Sequence, residues 1–466
     1  MQTDEGPTPV NEAAPLNRAP RRAVGERRAV PGPRSKAIFE EEAKAMAPGL
    51  QSIALFSQIV VDHAQGCTIT DVDGADYLDF IAGIAVGSLG HGHPRYVARM
   101  KEQLERSTFG SFTTQARAEF LKRISATLPE GLTHLQLFSG GAEAVEAAFR
   151  LAKSATKKFE FIGFWGGFHG KSAGVIGMLG GSYRNHQGPF PPGMHHSPYA
   201  NCYRCPFNLQ HPSCGMACAE HLRNVIKNDT QGEIAAIIIE PMQGTAGNVI
   251  PPDDFIHAVR AIATECDALL IADEILVGFG RTGTMWASEQ FGLKPDIMTI
   301  GKGIGGGFPM SAVASSLARM QATPFGEPSG SSSSYGGNPL AGAAGLGAIE
   351  ALTEDGLVEN SARVGKVMLD ALKKLQDKYR FLGDVRGRGL LIGIDMVSDR
   401  KTKAPLDKTI TRALFHEALE RGLITMSYSN VIRINPPLVI TEEEALRGVD
   451  ILDQSFAAIA QRFGLD

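Results

Sequence analysis

Short apolar runs alternate along the chain with longer stretches of helical period. FEFIGF (159–164), AAIIIEP (235–241), ALLIADE (268–274) and DIMTIGK (296–302) are rich in Ile and other apolar residues, as strands covered on both faces are. Strands alternating with helices predict an α/β fold with a mostly parallel sheet. WGGFHGKS follows the first run, and the others end on Glu240, on Asp273 with Glu274, and on Lys302. In an open parallel sheet the carboxyl edge is where ligands bind. Each of these residues alone reads equally well as a solvated loop position. Their recurrence at successive strand ends predicts a site.

The segment FSGGAEAVEAAFRLAKSATKK (138–158) opens on Ser139, Gly140 and Gly141 and then becomes strongly helix-forming. Ser139 or Gly140 can cap the helix, and Glu143 and Glu146 suit its first turn. Free N–H groups at a glycine-opened helix start bind anions, typically phosphate. A plain N-cap is the commoner use, but the neighbouring strand ends favour phosphate. Two nucleotide motifs fail. GKGIGG (301–306) follows a strand, yet RMQATPFGEPSG downstream lacks the strand-ending acid of a dinucleotide fingerprint. WGGFHGKS has Trp165 where a phosphate-binding loop needs its first glycine.

With 466 residues, 43% hydrophobic and 21% charged, and a formal net charge of -4, the chain has ordinary globular composition. That charge leaves no electrostatic footprint for nucleic acid. No apolar stretch approaches the ~20 residues of a membrane span, and the N-terminus lacks a secretory core; a cytoplasmic protein is the expectation. Residues 1–35, rich in Pro and Arg, read as a mobile tail. Cys202, Cys205, Cys214 and Cys218 fall within NCYRCPFNLQHPSCGMAC. They could close a structural thiolate zinc site or stay reduced on a surface excursion. His91 and His93 of GHGHP lack a companion at ligand spacing, so no metal is assigned to them.

A lysine, an aspartate, an aromatic ring and a phosphate cradle at one sheet edge fit pyridoxal 5'-phosphate. Lys302 would bind it covalently and carry a proton between substrate and cofactor carbons. Asp273 would keep the ring nitrogen protonated, because a nearby anion favours the charged form. Phe168 could stack on the ring.

Further motifs stand in order: GCTITDVDGADYLDFIAGIAVGSLGHGHP, SGGAEAVEAAFRLAK, FHGKS, EPMQG, ADEILVGFGRTG, GKGIGGGFPMSAV, SSYGGNPLA, VRGRGLLIGI and VIRINPPLVITEEE. From about residue 36 to the C-terminus the chain resembles the class III (ω-type, 4-aminobutyrate-like) aminotransferases. The resemblance implies an aspartate-aminotransferase-like fold (fold type I): a large cofactor domain over 89–340 and a smaller α+β domain from 36–88 and 341–466. It implies cofactor contacts at Gly140, Gly141, Ala142, Phe168, Asp273, Ile275 and Lys302. It also implies a homodimer with the active site at the interface, in which Ser334 reaches the phosphate of the neighbouring subunit.

Two positions depart from the 4-aminobutyrate pattern. Leu276 stands where relatives often carry a glutamine that bonds the cofactor's phenolic oxygen. Thr245 stands where switch-type relatives carry a glutamate that pairs with an arginine, while that arginine is kept as Arg433. Arg433 is expected to read a substrate carboxylate, and Glu240 to line the site. His169, Arg281 and Arg386 fit structure or function equally. The implied reaction moves an amino group from an ω-amino acid or related primary amine to pyruvate or 2-oxoglutarate. The same machinery serves an amino-acid 2-epimerase, a dialkylglycine-type decarboxylase or a phospho-lyase. A non-enzymatic scaffold would show a damaged lysine or cradle, and both are intact.

Overall fold

The computed structural model describes residues 21–465. The four apolar runs become strands Glu160–Phe164, Ile234–Ile239, Leu269–Asp273 and Ile297–Ile300. Three further strands complete a seven-stranded sheet. Its order is His134–Phe138, Ser311–Ser315, Ile297–Ile300, Leu269–Asp273, Ile234–Ile239, Glu160–Phe164 and Met194–Ser197. Ser311–Ser315 runs antiparallel to both neighbours; the pairings from Ile297–Ile300 to Met194–Ser197 are parallel.

Successive side chains of a strand point to opposite faces, and here both faces are packed. Ile238, Ile271 and Ile297 meet Ala144, Val145, Ala148 and Leu151 of helix Gly141–Thr156 in one apolar cluster. Ile237, Leu270 and Ala272 meet Phe255, Ile256 and Val259 of helix Asp253–Glu265 on the other side. Each such Ile or Leu contributes about 1.5–3 kcal/mol when fully buried. The alanines of helix Gly141–Thr156 let it lie close to the sheet, which sets its N-terminus beside the strand ends.

Two smaller sheets join distant parts of the chain. Strand Asp76–Asp79 pairs antiparallel with Thr68–Asp71 and parallel with Leu423–Ile424. A second sheet, around Leu391–Asp399, carries Val431–Ile434, with Gly393 opposite Arg433. Among the described residues no helix is long and apolar enough to cross a membrane.

Two features of the fold bear on the expected division of the chain. Residues 1–20 of the expected tail lie outside the described residues, but 21–35 pack on the small domain. Arg22 bridges to Ala75. Arg28 is 5% exposed, donates to the carbonyls of Ala23 (2.6 Å) and Asp76 (3.2 Å), and lies over the Tyr77 ring. The Asp73 carboxylate accepts the N–H groups of Arg34 and Ser35 and so opens helix Pro33–Glu42. The boundary expected at 341 falls inside helix Pro339–Glu354, which packs on Pro94–Leu104 and Gln115–Ser125. The change of partners comes at Gly356, in the left-handed region at φ 68°, after which helix Leu357–Lys378 packs on strand Leu382–Arg388.

Candidate active site

One cavity of about 220 Å³ gathers the strand-end chemistry: Lys302, Asp273 and Glu240 share it with Phe168, Ile275, and Gly141 and Ala142 of the helix start. A larger cavity, about 490 Å³, lies near the C-terminus between Arg380, Asp407 and Leu465 and holds none of these groups. Chemistry, not volume, marks the site.

Lys302 stands one residue past strand Ile297–Ile300, after Gly301, in a left-handed conformation, φ 47°. For a residue with a Cβ such a backbone costs of order 1–3 kcal/mol and persists where the surroundings over-determine it. They do so here: a Cβ on Gly301 or Gly303 would meet Ile275 at 3.1 Å or Phe279 at 2.8 Å. Burial lowers the pKa of the Lys302 amine, opposed by Asp273 and Glu240 and reinforced by Arg433. A lowered pKa leaves more of the amine neutral and able to attack a carbonyl.

Asp273 is 2% exposed. One oxygen lies 2.7 Å from Nδ1 of His169; the other accepts the Thr299 hydroxyl at 3.0 Å and the Ile275 N–H at 3.1 Å. Burial works against a charged His169, but the hydrogen bond and charge of Asp273 outweigh it, so the imidazole pKa is raised. This pair was not singled out from the sequence. The FHG motif carried the signal, but the histidine's partner stands 104 residues away.

Glu240 accepts the Phe168 N–H (2.9 Å) with one oxygen and the Gly244 N–H (3.0 Å) with the other. It thereby fixes the loop that carries Phe168. Its carboxyl is pushed up to about 7 by burial, against the pull of His169. A raised carboxyl pKa means that the folded chain keeps a proton the unfolded chain has lost. The stability this group contributes is full below pH 4.5 and is lost as the pH climbs toward 7. We therefore expect the melting-temperature difference between Glu240→Gln and wild-type apoprotein to shift in the variant's favour from pH 5 to pH 8. Parallel melting curves across that range would remove the assignment.

At the helix start, Glu143 accepts the N–H groups of Ser139 (3.0 Å) and Gly140 (3.4 Å). Gly140 is therefore a cap and lies outside the cavity lining. The next amides, of Gly141 and Ala142, have no acceptor among the described residues. Gly170, at φ 116°, is pressed so close that a Cβ would stand 2.5 Å from that of Ala142. His169, Gly170, Thr245 and Leu276 complete the lining.

Besides Gly140, two predicted residues fall outside the cavity lining. Ser334 is exposed on the segment before helix Pro339–Glu354. Arg433 extends from the small domain close enough to influence Lys302. The remaining open positions resolve to structure. Arg386 pairs with Asp384 (2.6 Å) and Asp395 (2.8 Å) and donates to the carbonyls of Gly247 and Asn248, which clamps the QGTAG loop. Arg281, wholly buried, donates to the carbonyls of Leu390 and Pro436, and burial lowers its pKa to about 9. Cys202 is exposed, Cys205 and Cys214 are half-buried, and Cys218 is buried in helix Ala217–Asp229. Among the described residues no group of three or more His, Cys, Asp or Glu is arranged to hold a metal ion.

The sequence pattern of the family described as aminotransferase class-III matches residues 52–456. This chain belongs to the class III aminotransferases. It is 34% identical to the 4-aminobutyrate aminotransferase of Escherichia coli, over 91% of this chain and 98% of that protein. It is 33% identical to a leucine/methionine racemase of Thermococcus litoralis, over 87% and 92%. A crystal structure of an amine transaminase from an uncultivated Pseudomonas species, in its PLP-bound form, superposes with a TM-score of 0.83 at 30% identity, over 89% of this chain and 98% of that one. The fold is that of the fold type I enzymes, and the cofactor is pyridoxal 5'-phosphate. The cavity of this class III aminotransferase fits that group: a buried amine, a buried aspartate and two unoccupied amide donors converge on one space.

Proposed function

We propose that this class III aminotransferase moves the amino group of an ω-amino acid or related primary amine to pyruvate or 2-oxoglutarate. The observation that carries the reading is the Lys302 amine buried in one cavity with the Asp273–His169 pair. Bound there, pyridoxal phosphate supplies an electron sink for the substrate carbon. Lys302 Nζ binds the cofactor and then moves the proton at that carbon. Asp273 holds the proton on the ring nitrogen, and His169 holds Asp273. The amides of Gly141 and Ala142 take the phosphate, Ile275 and Phe168 pack on the ring, and Glu240 keeps Phe168 in place. A screen of ω-amino acids and amines against pyruvate and 2-oxoglutarate tests the reading; no amino transfer with any pair would end it.

The homodimer belongs to the same proposal. Phe109, Phe112 and Tyr335 are 84%, 88% and 74% exposed. Arg117 ties their two segments together by donating to the Gly337 carbonyl and the Thr113 hydroxyl. An aromatic surface of this kind marks an association site. It adjoins Ser334, which would reach the phosphate of the neighbouring subunit.

Arg433 is the carboxylate reader in this scheme. Arg433→Ala should weaken keto-acid use by roughly 2–5 kcal/mol, the scale for truncating one partner of a buried charged pair. A carboxylate-free amine should react in its own half-reaction almost as before. Single-turnover kinetics separates the halves, and equal losses would make Arg433 a structural residue.

One observation favours a second reading, an amino-acid racemase or epimerase. Thr245 cannot neutralise Arg433, and relatives at 33% and 32% identity include a leucine/methionine and an alanine/serine racemase. Amino donor added without acceptor decides between them. A transaminase stops with the cofactor in its amine form, and a racemase returns to its starting absorbance.

A further inference from the structure

The helix whose start opens on the Lys302 cavity ends at a second cavity of different chemistry. About 260 Å³ of space is lined from helix Gly141–Thr156 and its cap by Arg150, Lys153, Ser154 and Lys157. Pro324 and Phe325 face them from the segment that precedes the exposed Ser334. At ~1.5 Å of rise per residue, Lys153 stands about 18 Å along the axis from Gly141. Arg150 donates to the Gly330 carbonyl at 3.1 Å and lies 5.8 Å over the Phe325 ring. Lys157 donates to the Thr323 carbonyl at 2.7 Å. The Lys153 ammonium lies 5.5 Å over the Phe161 ring and donates to no group among the described residues. None of the three pairs with a carboxylate among those residues, whereas the neighbouring Lys158 meets Asp267 at 3.0 Å. Glu327, the acid of the facing segment, is exposed. Cations in a helix's last turn answer its dipole, which accounts for Lys153 and Lys157. Arg150 lies a turn earlier, beyond that effect's reach.

We propose that this cavity binds a small phosphate monoester, with its dianion among Arg150, Lys153 and Lys157 and its apolar body against Pro324 and Phe325. Three cations with no acid among them favour a doubly charged group, since each charge adds its own Coulomb attraction. A guanidinium suits phosphate oxygens through paired N–H donors, and an ammonium serves as a point charge. The backbone carbonyls of Gly330 and Thr323 hold two of the cations in place without neutralising them. Ser154, 5% exposed, adds a hydroxyl donor to the lining. The alkyl stems of the cations extend the apolar wall while their heads stay in water. A volume of 260 Å³ is just under the ~300 Å³ at which small-ligand sites begin. It suits one phosphorylated ring or short chain and is too small for a dinucleotide. This binding goes beyond amino transfer and does not rest on it.

The test titrates phenyl phosphate, inorganic phosphate and phenol by calorimetry into the holoenzyme, where the proposed cradle at Gly141 and Ala142 is already filled. Phenyl phosphate should bind, inorganic phosphate roughly tenfold more weakly, and phenol not measurably. Lys153→Gln removes a charge without removing a hydrogen bond of the fold. It should raise the phenyl phosphate Kd roughly tenfold, the scale of one hydrogen bond to a charged group. Lys366→Gln makes the same charge change on helix Leu357–Lys378 and should leave that Kd within about twofold. No binding of phenyl phosphate would overturn the site. So would an unchanged Kd in Lys153→Gln, or equal losses in the two variants. Phenyl phosphate binding no tighter than inorganic phosphate would overturn the apolar seat.

Discussion

Lys302→Ala is expected to lose covalently bound cofactor and to fall in turnover by several orders of magnitude. In the proposed mechanism the side chain serves twice, as the nucleophile that holds the cofactor and as the base that moves the substrate proton. General acid–base catalysis alone contributes typically 10²–10⁴-fold. The backbone of the variant should hold, since the φ of 47° at Lys302 is imposed by neighbours around Gly301 and Gly303 that remain. Borohydride reduction followed by peptide mapping gives the direct check. Cofactor trapped on another lysine, or near-normal turnover, would defeat the assignment.

Asp273→Asn should separate binding from chemistry. The proposed phosphate cradle at Gly141 and Ala142 is untouched by this change, so cofactor should still bind. Activity should nevertheless drop by well over tenfold, because no carboxylate remains to hold the ring nitrogen protonated. The His169 contact sharpens the expectation. At 2.7 Å from Asp273, the imidazole owes its raised pKa to that carboxylate, so the variant should also lower the His169 pKa, which NMR titration can follow. Retention of more than about a tenth of wild-type turnover, under ~1.4 kcal/mol of barrier, would remove the electronic role.

These two residues stood out in the sequence because their signal is local. Lys302 and Asp273 end apolar runs, and a strand that ends on a charge reports its own position. Glu240 announced itself in the same way. The roles of His169, Arg386 and Arg281 did not, because each depends on a partner far along the chain: 104 residues away for His169, 138 for the Asn248 carbonyl that Arg386 holds, and 155 for the Pro436 carbonyl that Arg281 holds. Glu143 folding back onto the Gly140 N–H was hidden too, since it needs the formed helix start.

The sequence by itself determined the alternation of strands and helices, the parallel sheet, the family and the cofactor. Those follow from hydrophobic period and from short motifs whose chemistry lies within a few residues. The tertiary structure decided what depends on who faces whom. It placed residues 21–35 on the small domain through Arg28 and Asp73, where composition alone suggested a tail. It carried helix Pro339–Glu354 across the boundary expected at 341, because that helix packs on Pro94–Leu104 and Gln115–Ser125 far earlier in the chain. It also left Arg433 beside Met426. A residue's period tells which face it shows, but only the closed fold brings up the group that will neutralise a charge or leave it free for a substrate.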